Sequence, residues 1–401
     1  MTRQFLVLSA LWASLLCSIS IVCSLSLQTR ADSLTRRRLL ETSDPKSVET
    51  KAVVPAQKTM YPTDDHPNGP EMPFALPPYA AEWCLKPKLQ PLPYTFCNHT
   101  DVINQLPLFG GLTNALKMVL LGTILSFEEN RCFYIDESKS HLHNRRNLSD
   151  VPDSFIDKYF EPIGLPANDE LVLAAKKEKR IKVRGWEELW KETHNRRARH
   201  QTFDIPSLYY YQMPGHRLKG VMLRRMFRWL PKVQTNTCNA LAKYGLLDEF
   251  MAFSVRRGDK TLEKFEFATL EQYIQAAQSA LPQWFNGTVP KIFVATDDCT
   301  VMKEFREMRP SWIFLSECDT AVLKADHGFA LDDVKDWDSD ETDRHYNKFF
   351  VELLGMATAK YFIGVWYTNV SWWAFFMRRN DLGSFQLLDT KGKPEFLIKW
   401  W

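Results

Sequence analysis

The chain has 401 residues and 45% hydrophobic content, which excludes a disordered or fibrous protein and leaves enough apolar material for two ordinary domains with a real core. Its 51 lysines and arginines nearly balance 48 aspartates and glutamates, so a formal charge of +3 gives no general attraction to nucleic acid or an acidic membrane surface. Any anion site must be local.

Residues 5–27, "FLVLSALWASLLCSISIVCSLSL", form an uncharged apolar run just after Arg3, long enough for one membrane-spanning helix and a route into the secretory pathway. Small residues around Ser24 to Ser26 suit cleavage, and Arg30, Arg36, Arg37 and Arg38 make the charge bias ambiguous, so signal anchor and signal peptide both remain open. The first gives an ER or Golgi membrane protein with the rest of the chain in the lumen, the second a secreted one. Residues 28–80 are polar and proline-rich, ending near "TDDHPNGPEMPFALPP", and read as a stem. Six cysteines follow the apolar run (Cys84, Cys97, Cys132, Cys238, Cys299, Cys318), which permits three bridges of undetermined pairing in an oxidising lumen. No CxxC pair is present, so no zinc site is expected. Sequons at Asn98, Asn147, Asn286 and Asn369 agree with a lumenal location.

Beyond the stem, apolar strands alternate with helical patterns. A helix is expected over 112–127, then strands at "CFYID" (132–136), "FMAFSV" (250–255), "KIFVAT" (291–296), "WIFLS" (312–316) and "KYFIGV" (360–365). Helical segments near 269–281, 299–308 and 345–359 separate the later strands, the rhythm of a parallel sheet covered on both faces. The boundary between two such halves is placed near 230–245, giving an N-terminal α/β domain over 81–240 and a C-terminal one over 241–401. The basic stretch 176–200 carries interspersed glutamates and reads as a solvated helix or subunit surface rather than a nucleic-acid patch. "DWDSD" (336–340) reads as a solvated linker, because no calcium-loop glycine and glutamate follow it.

Ligands of open parallel sheets bind beyond the carboxyl ends of the strands. Four segments carry suitable chemistry there. "VRRGDK" places Arg256 and Arg257, forked cations that match phosphate oxygens, before Gly258 and Asp259, a carboxylate able to hold an arginine. "ATDD" ends a strand with Thr296, Asp297 and Asp298. "GVWYTNVSWW" opens a helix near Thr368 and Asn369, whose amides suit an anion. "LFGGLTNAL" puts Gly110 and Gly111 ahead of a helix, where backbone can approach a ligand closely.

In this order and spacing, "VRRGDK", "FVATDD" and "VELLGMATAKYFIGVWYTNVSW" resemble the α1,6-fucosyltransferase family, and "FGGLTNALKMVLLGTILSFEENRCFYIDES" resembles both that family's glycine segment and the GGxxN loop of related O-fucosyltransferases. The resemblance covers about 109–380. It implies an α/β, GT-B-like pair of Rossmann-type domains, the C-terminal one binding GDP-fucose, and inverting transfer without a metal or other cofactor. The acceptor would be a glycan or glycoprotein. Position by position, Arg256 matches the β-phosphate clamp, Arg257 its neighbour, and Lys260 a lysine near the leaving group. Asp297 and Asp298 match an aspartate pair, Glu352 the carboxylate that reads guanine, and Thr368 with Asn369 the phosphate-binding helix start. The sequence departs from the family at Ser254, where a histidine stands, and at Lys264, on the position of a catalytic glutamate. Glu266 or Glu263 is then expected as the base. The family's coiled coil and SH3-like domain have no counterpart, so the acceptor need not be an N-glycan core. As part of a phosphate-binding helix start, Asn369 is expected to carry no glycan.

Overall fold

A computed structural model describes residues 99–108, 110–138, 154–185, 187–189, 215–258, 268–319, 337–378 and 383–389, with 80, 84, 140, 142 and 334 singly. The apolar run, most of the stem, and Asp259, Lys260, Glu263, Lys264 and Glu266 lie outside the described residues.

The described residues are mixed α/β and hold two parallel sheets. β1 (His99–Pro107) leads through α1 (Leu112–Glu128) to β2 (Arg131–Asp136). Short helices α2 (Phe155–Tyr159) and α3 (Glu170–Lys177) precede β3 (Ile181–Val183). The first sheet has the order β2-β1-β3. α4 (Gly215–Met226) and α5 (Pro231–Lys243) follow, α5 occupying the stretch expected to hold the boundary between halves. Then come β4 (Met251–Val255), α6 (Leu270–Trp284), β5 (Ile292–Thr296), α7 (Thr300–Met308), β6 (Phe314–Leu315), α8 (Ser339–Thr358), β7 (Tyr361–Gly364), α9 (Asn369–Met377) and β8 (Phe385–Leu387). The second sheet has the order β6-β5-β4-β7-β8, every pair parallel.

β4, β5 and β7 are buried along their whole length, as their unbroken apolar runs require of strands covered on both faces. Met251, Phe253 and Val255 face a cluster that includes Tyr273 and Ile274 of α6 and Phe305 of α7. Ala252, Phe293 and Phe362 face the other way, into a larger core with α5, α8 and α9 that runs on to Leu106, Phe133 and Ile135 of the first sheet. α9 is apolar almost all round and correspondingly sunk into that core, with Trp372 and Trp373 at 1% and 0% exposure.

Two expectations need correction. "DWDSD" begins a helix, because Asp338 accepts from the Glu341 amide while the Glu341 side chain accepts from the Asp338 amide, a reciprocal cap that starts α8 at Ser339. The basic stretch is not uniformly solvated: Arg184 is 2% exposed and bonds Asn104, Glu129 and Glu188. Cys84 bridges Cys238, Cys299 bridges Cys318, and Cys132 is also disulfide-bonded.

Candidate active site

In the second sheet, sequence order runs outward from β4 in one direction (β5, β6) and resumes at β7 in the other (β8). The carboxyl ends of β4 and β7 therefore flank a topological switch point, where loops leaving toward opposite faces open a crevice. Arg256 to Gly258 leave β4 there, and Val365 to Thr368 leave β7.

Each of these loops is pinned by a carboxylate from the next strand outward. Asp297, one residue past the pair Val255↔Thr296, accepts from the amides of Arg257 at 2.9 Å and Gly258 at 3.0 Å. Asp389, two residues past the pair Gly364↔Leu387, accepts from the amides of Trp366 at 2.6 Å and Tyr367 at 3.1 Å. The backbone of both loops is thus fixed from beneath. Arg256 Nη1 lies 3.4 Å from Asp297 Oδ2 with its side chain 14% exposed. Arg257 turns elsewhere and forms a two-pronged ion pair with Glu304 of α7, at 2.7 and 3.3 Å. Asp298 serves the start of α7, accepting from the Thr300 amide at 2.9 Å and its hydroxyl at 2.6 Å.

A polar cluster on α8 faces the end of β5. Glu352 accepts from the Thr296 amide at 3.3 Å, and Lys348 donates to the Thr296 carbonyl at 3.1 Å while standing 3.6 Å from the Glu352 carboxylate. Burial raises Glu352 to a pKa of about 7 against the pull of Lys348, the Thr296 amide and Arg256. His345, on the same α8 face, is pushed down to about 3 by burial, with Lys348 and Arg256 adding to the shift. The Cys299–Cys318 bridge ties the loop after β5 to the turn after β6, and Cys318 Sγ lies 3.9 Å from Lys348 Nζ.

The fourth segment reaches the crevice from the first sheet. Gly110 has φ +77°, a turn that brings α1 in with Gly111 as its cap and no capping side chain. Asn114 Oδ1 accepts from Asn369 Nδ2 at 3.3 Å, and Lys117 Nζ donates to Asn369 Oδ1 at 3.4 Å. The start of α1 is therefore joined to the start of α9, whose own cap Thr368 accepts from the Val370 amide at 3.3 Å. The nitrogen of Asn369 that would carry a glycan is engaged.

The structure thus brings Arg256, Asp297 and Glu352 together at the second sheet's carboxyl edge, and Gly110, Gly111, Thr368 and Asn369 at the α1–α9 junction. Arg257 and Asp298 are committed to α7. Asp259, Lys260, Glu263 and Glu266 lie outside the described residues. Sequence reading passed over Lys348 and His345, although their spacing of four and seven residues from Glu352 sets all three on one helical face. It also passed over Asp389, which no motif marks, and Lys117, hidden in an apolar helix.

No protein-family description matches the sequence, and no curated protein matches it either. The structure is similar to solved fucosyltransferases. Fucosyltransferase NodZ from Bradyrhizobium shares 12% identity over 73% of this chain and 97% of its own, with a TM-score of 0.44. A mutant of Arabidopsis thaliana FUT1 in complex with GDP shares 9% identity over 75% of this chain and 72% of its own, at 0.41. POFUT1 in complex with GDP shares 10% identity over 71% and 97%, at 0.36.

Proposed function

We propose that the chain is a glycosyltransferase that moves fucose from GDP-fucose to a glycan or glycoprotein acceptor, with inversion and without a metal ion, in the ER or Golgi lumen. The two sheets are then the halves of a GT-B-like enzyme, 81–240 taking the acceptor and 241–401 the nucleotide sugar. The observation that carries this reading is the switch-point arrangement: Arg256 for a diphosphate and the buried Glu352 carboxyl of α8 for guanine meet at the carboxyl edge of the second sheet, close enough that Arg256 pulls the Glu352 pKa down.

In the reaction the anomeric C–O bond to the β-phosphate breaks, and its electron pair stays on the phosphate oxygen. Arg256 and the α9 start meet that developing charge. The acceptor oxygen bonds to the anomeric carbon from the opposite face, and its proton passes to a carboxylate, for which Glu266 and Glu263 are the candidates. Lys260, two residues after Gly258 in the sequence, is the candidate lysine for assisting the leaving group. Among the described residues, the carboxylates of Asp297, Asp298 and Asp389 already accept backbone amides, which supports looking for the base in the segment after Gly258.

The test is turnover and binding of GDP-fucose by the full-length protein, with EDTA, GDP-mannose and UDP-sugars as controls. Selective GDP-fucose turnover that survives EDTA is expected. Absence of guanine-nucleotide binding would overturn the reading, and binding without transfer to any acceptor would favour a catalytically inactive lumenal binding protein, a reading that Ser254 and Lys264 support.

A further inference from the structure

Lys348, midway along α8, carries its ammonium to the end of β5. Its Nζ donates to the Thr296 carbonyl at 3.1 Å, stands 3.6 Å from Glu352 Oε1 and reaches Cys318 Sγ at 3.9 Å, with the side chain 11% exposed. Glu352 is 6% exposed and takes the Thr296 amide, at 3.3 Å, through the same Oε1. Among the described residues its Oε2 accepts no hydrogen bond. Thr296 thus holds the pair from both sides, its carbonyl on the ammonium and its amide on the carboxylate.

Helix stability explains little of this pair, because a lysine four residues before a glutamate is the weaker order of an i,i+4 ion pair. Its effect falls on the chemistry of the carboxyl. A buried carboxyl left to itself takes up a proton and becomes a donor as well as an acceptor, whereas a carboxylate only accepts. Burial pushes Glu352 up to about 7, and Lys348 is the group that most opposes this, ahead of the Thr296 amide and Arg256, while Glu317 works against them. The charges around these groups are Lys243, which faces Glu317, and Asp297, which pairs with Arg256. His345, one turn before Lys348, is kept neutral by burial. A guanine base offers its N1–H and its N2 amino group side by side, two donors that call for an acceptor without a proton of its own.

We infer that Lys348 is a positioning residue for nucleobase recognition: it draws Glu352 Oε1 against the end of β5 and so presents Oε2, as a charged acceptor, to the donor edge of guanine. This rests on the proposed GDP-sugar reading and deepens it, because affinity for the donor then depends on a cation that need not touch it.

The test is calorimetric titration of GDP and inorganic pyrophosphate into the full-length wild-type protein, Lys348→Met and Lys348→Gln across a pH series, with infrared difference spectra of the Glu352 carboxyl identified against Glu352→Gln. In Lys348→Met the rise of GDP affinity with pH should move up by about one pH unit or more, so that GDP binds about fivefold more weakly at neutral pH and the gap closes at higher pH. Pyrophosphate affinity should stay within about twofold at every pH, and in a Glu352→Gln background the further change Lys348→Met should alter GDP affinity by less than about twofold. Lys348→Gln, which keeps a donor for the Thr296 carbonyl and drops only the charge, should show the same shift. An unshifted GDP profile overturns the inference, as does an equal loss of GDP and pyrophosphate at every pH, which would mark a purely structural residue. Wild-type protein that binds no GDP defeats the guanine reading, and the spectra then decide Lys348 alone: a Glu352 titration moved upward in Lys348→Met upholds its hold on the carboxylate, and an unmoved one defeats that too.

Discussion

Replacing Arg256 with alanine removes the cation that stands beside Asp297 at the end of β4, and turnover of GDP-fucose is expected to fall about 100- to 1,000-fold, the scale of one preorganised donor. Arg257→Ala should affect turnover far less and cost only about 0.2–1 kcal/mol of stability, because its partly exposed pair with Glu304 is screened by water; steady-state kinetics and thermal melts of the two variants separate the roles. Glu352 and His345 make opposite contributions to stability. Glu352 has a folded pKa of about 7 against an ordinary 4.5, so the folded state holds an extra proton between those values and stability falls as pH rises through that window. His345, at about 3 against 6.5, stays neutral while the unfolded chain protonates, so stability falls as pH drops through its window. The two slopes offset each other where the windows overlap. Glu352→Gln should therefore expose the histidine slope, with stability rising by roughly 2–3 kcal/mol from acid to neutral pH in denaturant titrations. If the carboxylate reads guanine, wild-type affinity for GDP should also rise through about pH 7, and that of Glu352→Gln should stay flat.

At the scale of elements, the glycine pair before α1 gives a sharp contrast. Gly110 has φ +77°, and a Cβ on it would stand 2.9 Å from Asn114 Nδ2, so Gly110→Ala should cost about 1 kcal/mol or more and push Asn114 off Asn369. Gly111 has extended backbone and open space around its missing side chain, so Gly111→Ala should be tolerated; melting temperature and GDP affinity measured together distinguish the two. The long apolar runs of β4, β5 and β7 were legible because burial on both faces leaves no polar residue to blur them. β3 and β8, of three residues each, give no such run, and α8 starts six residues before its expected start because its cap is made by acidic residues that resemble a linker. Within the site, Arg256 was legible from its place after a strand, and Glu352 only through the family resemblance. Asp389 was not, because it acts through Trp366 and Tyr367, 23 and 22 residues away, and only sheet register brings them together.

Across the whole molecule, the Cys84–Cys238 bridge closes 154 residues and the Cys299–Cys318 bridge only 19. Loop-closure entropy grows with loop length, so replacing the first pair by alanines should lower stability by up to about 5 kcal/mol and the second by about 3, read from melts with and without reductant. Cys84 and Cys238 pack against the core that continues from the first sheet into the second, whereas Cys318 packs against the separate cluster with α6 and α7, so the two losses should be felt in different packing layers. The hydrogen bond from Asn369 to Asn114 has a consequence for biosynthesis. If the chain enters a secretory compartment as proposed, a glycosylating enzyme there meets the Asn369 sequon in the nascent chain, before α9 docks against α1. Modification and folding then compete for one nitrogen atom. A chain modified first cannot form the junction, so glycan at Asn369 should be confined to molecules retained by quality control, and the exported pool should carry none.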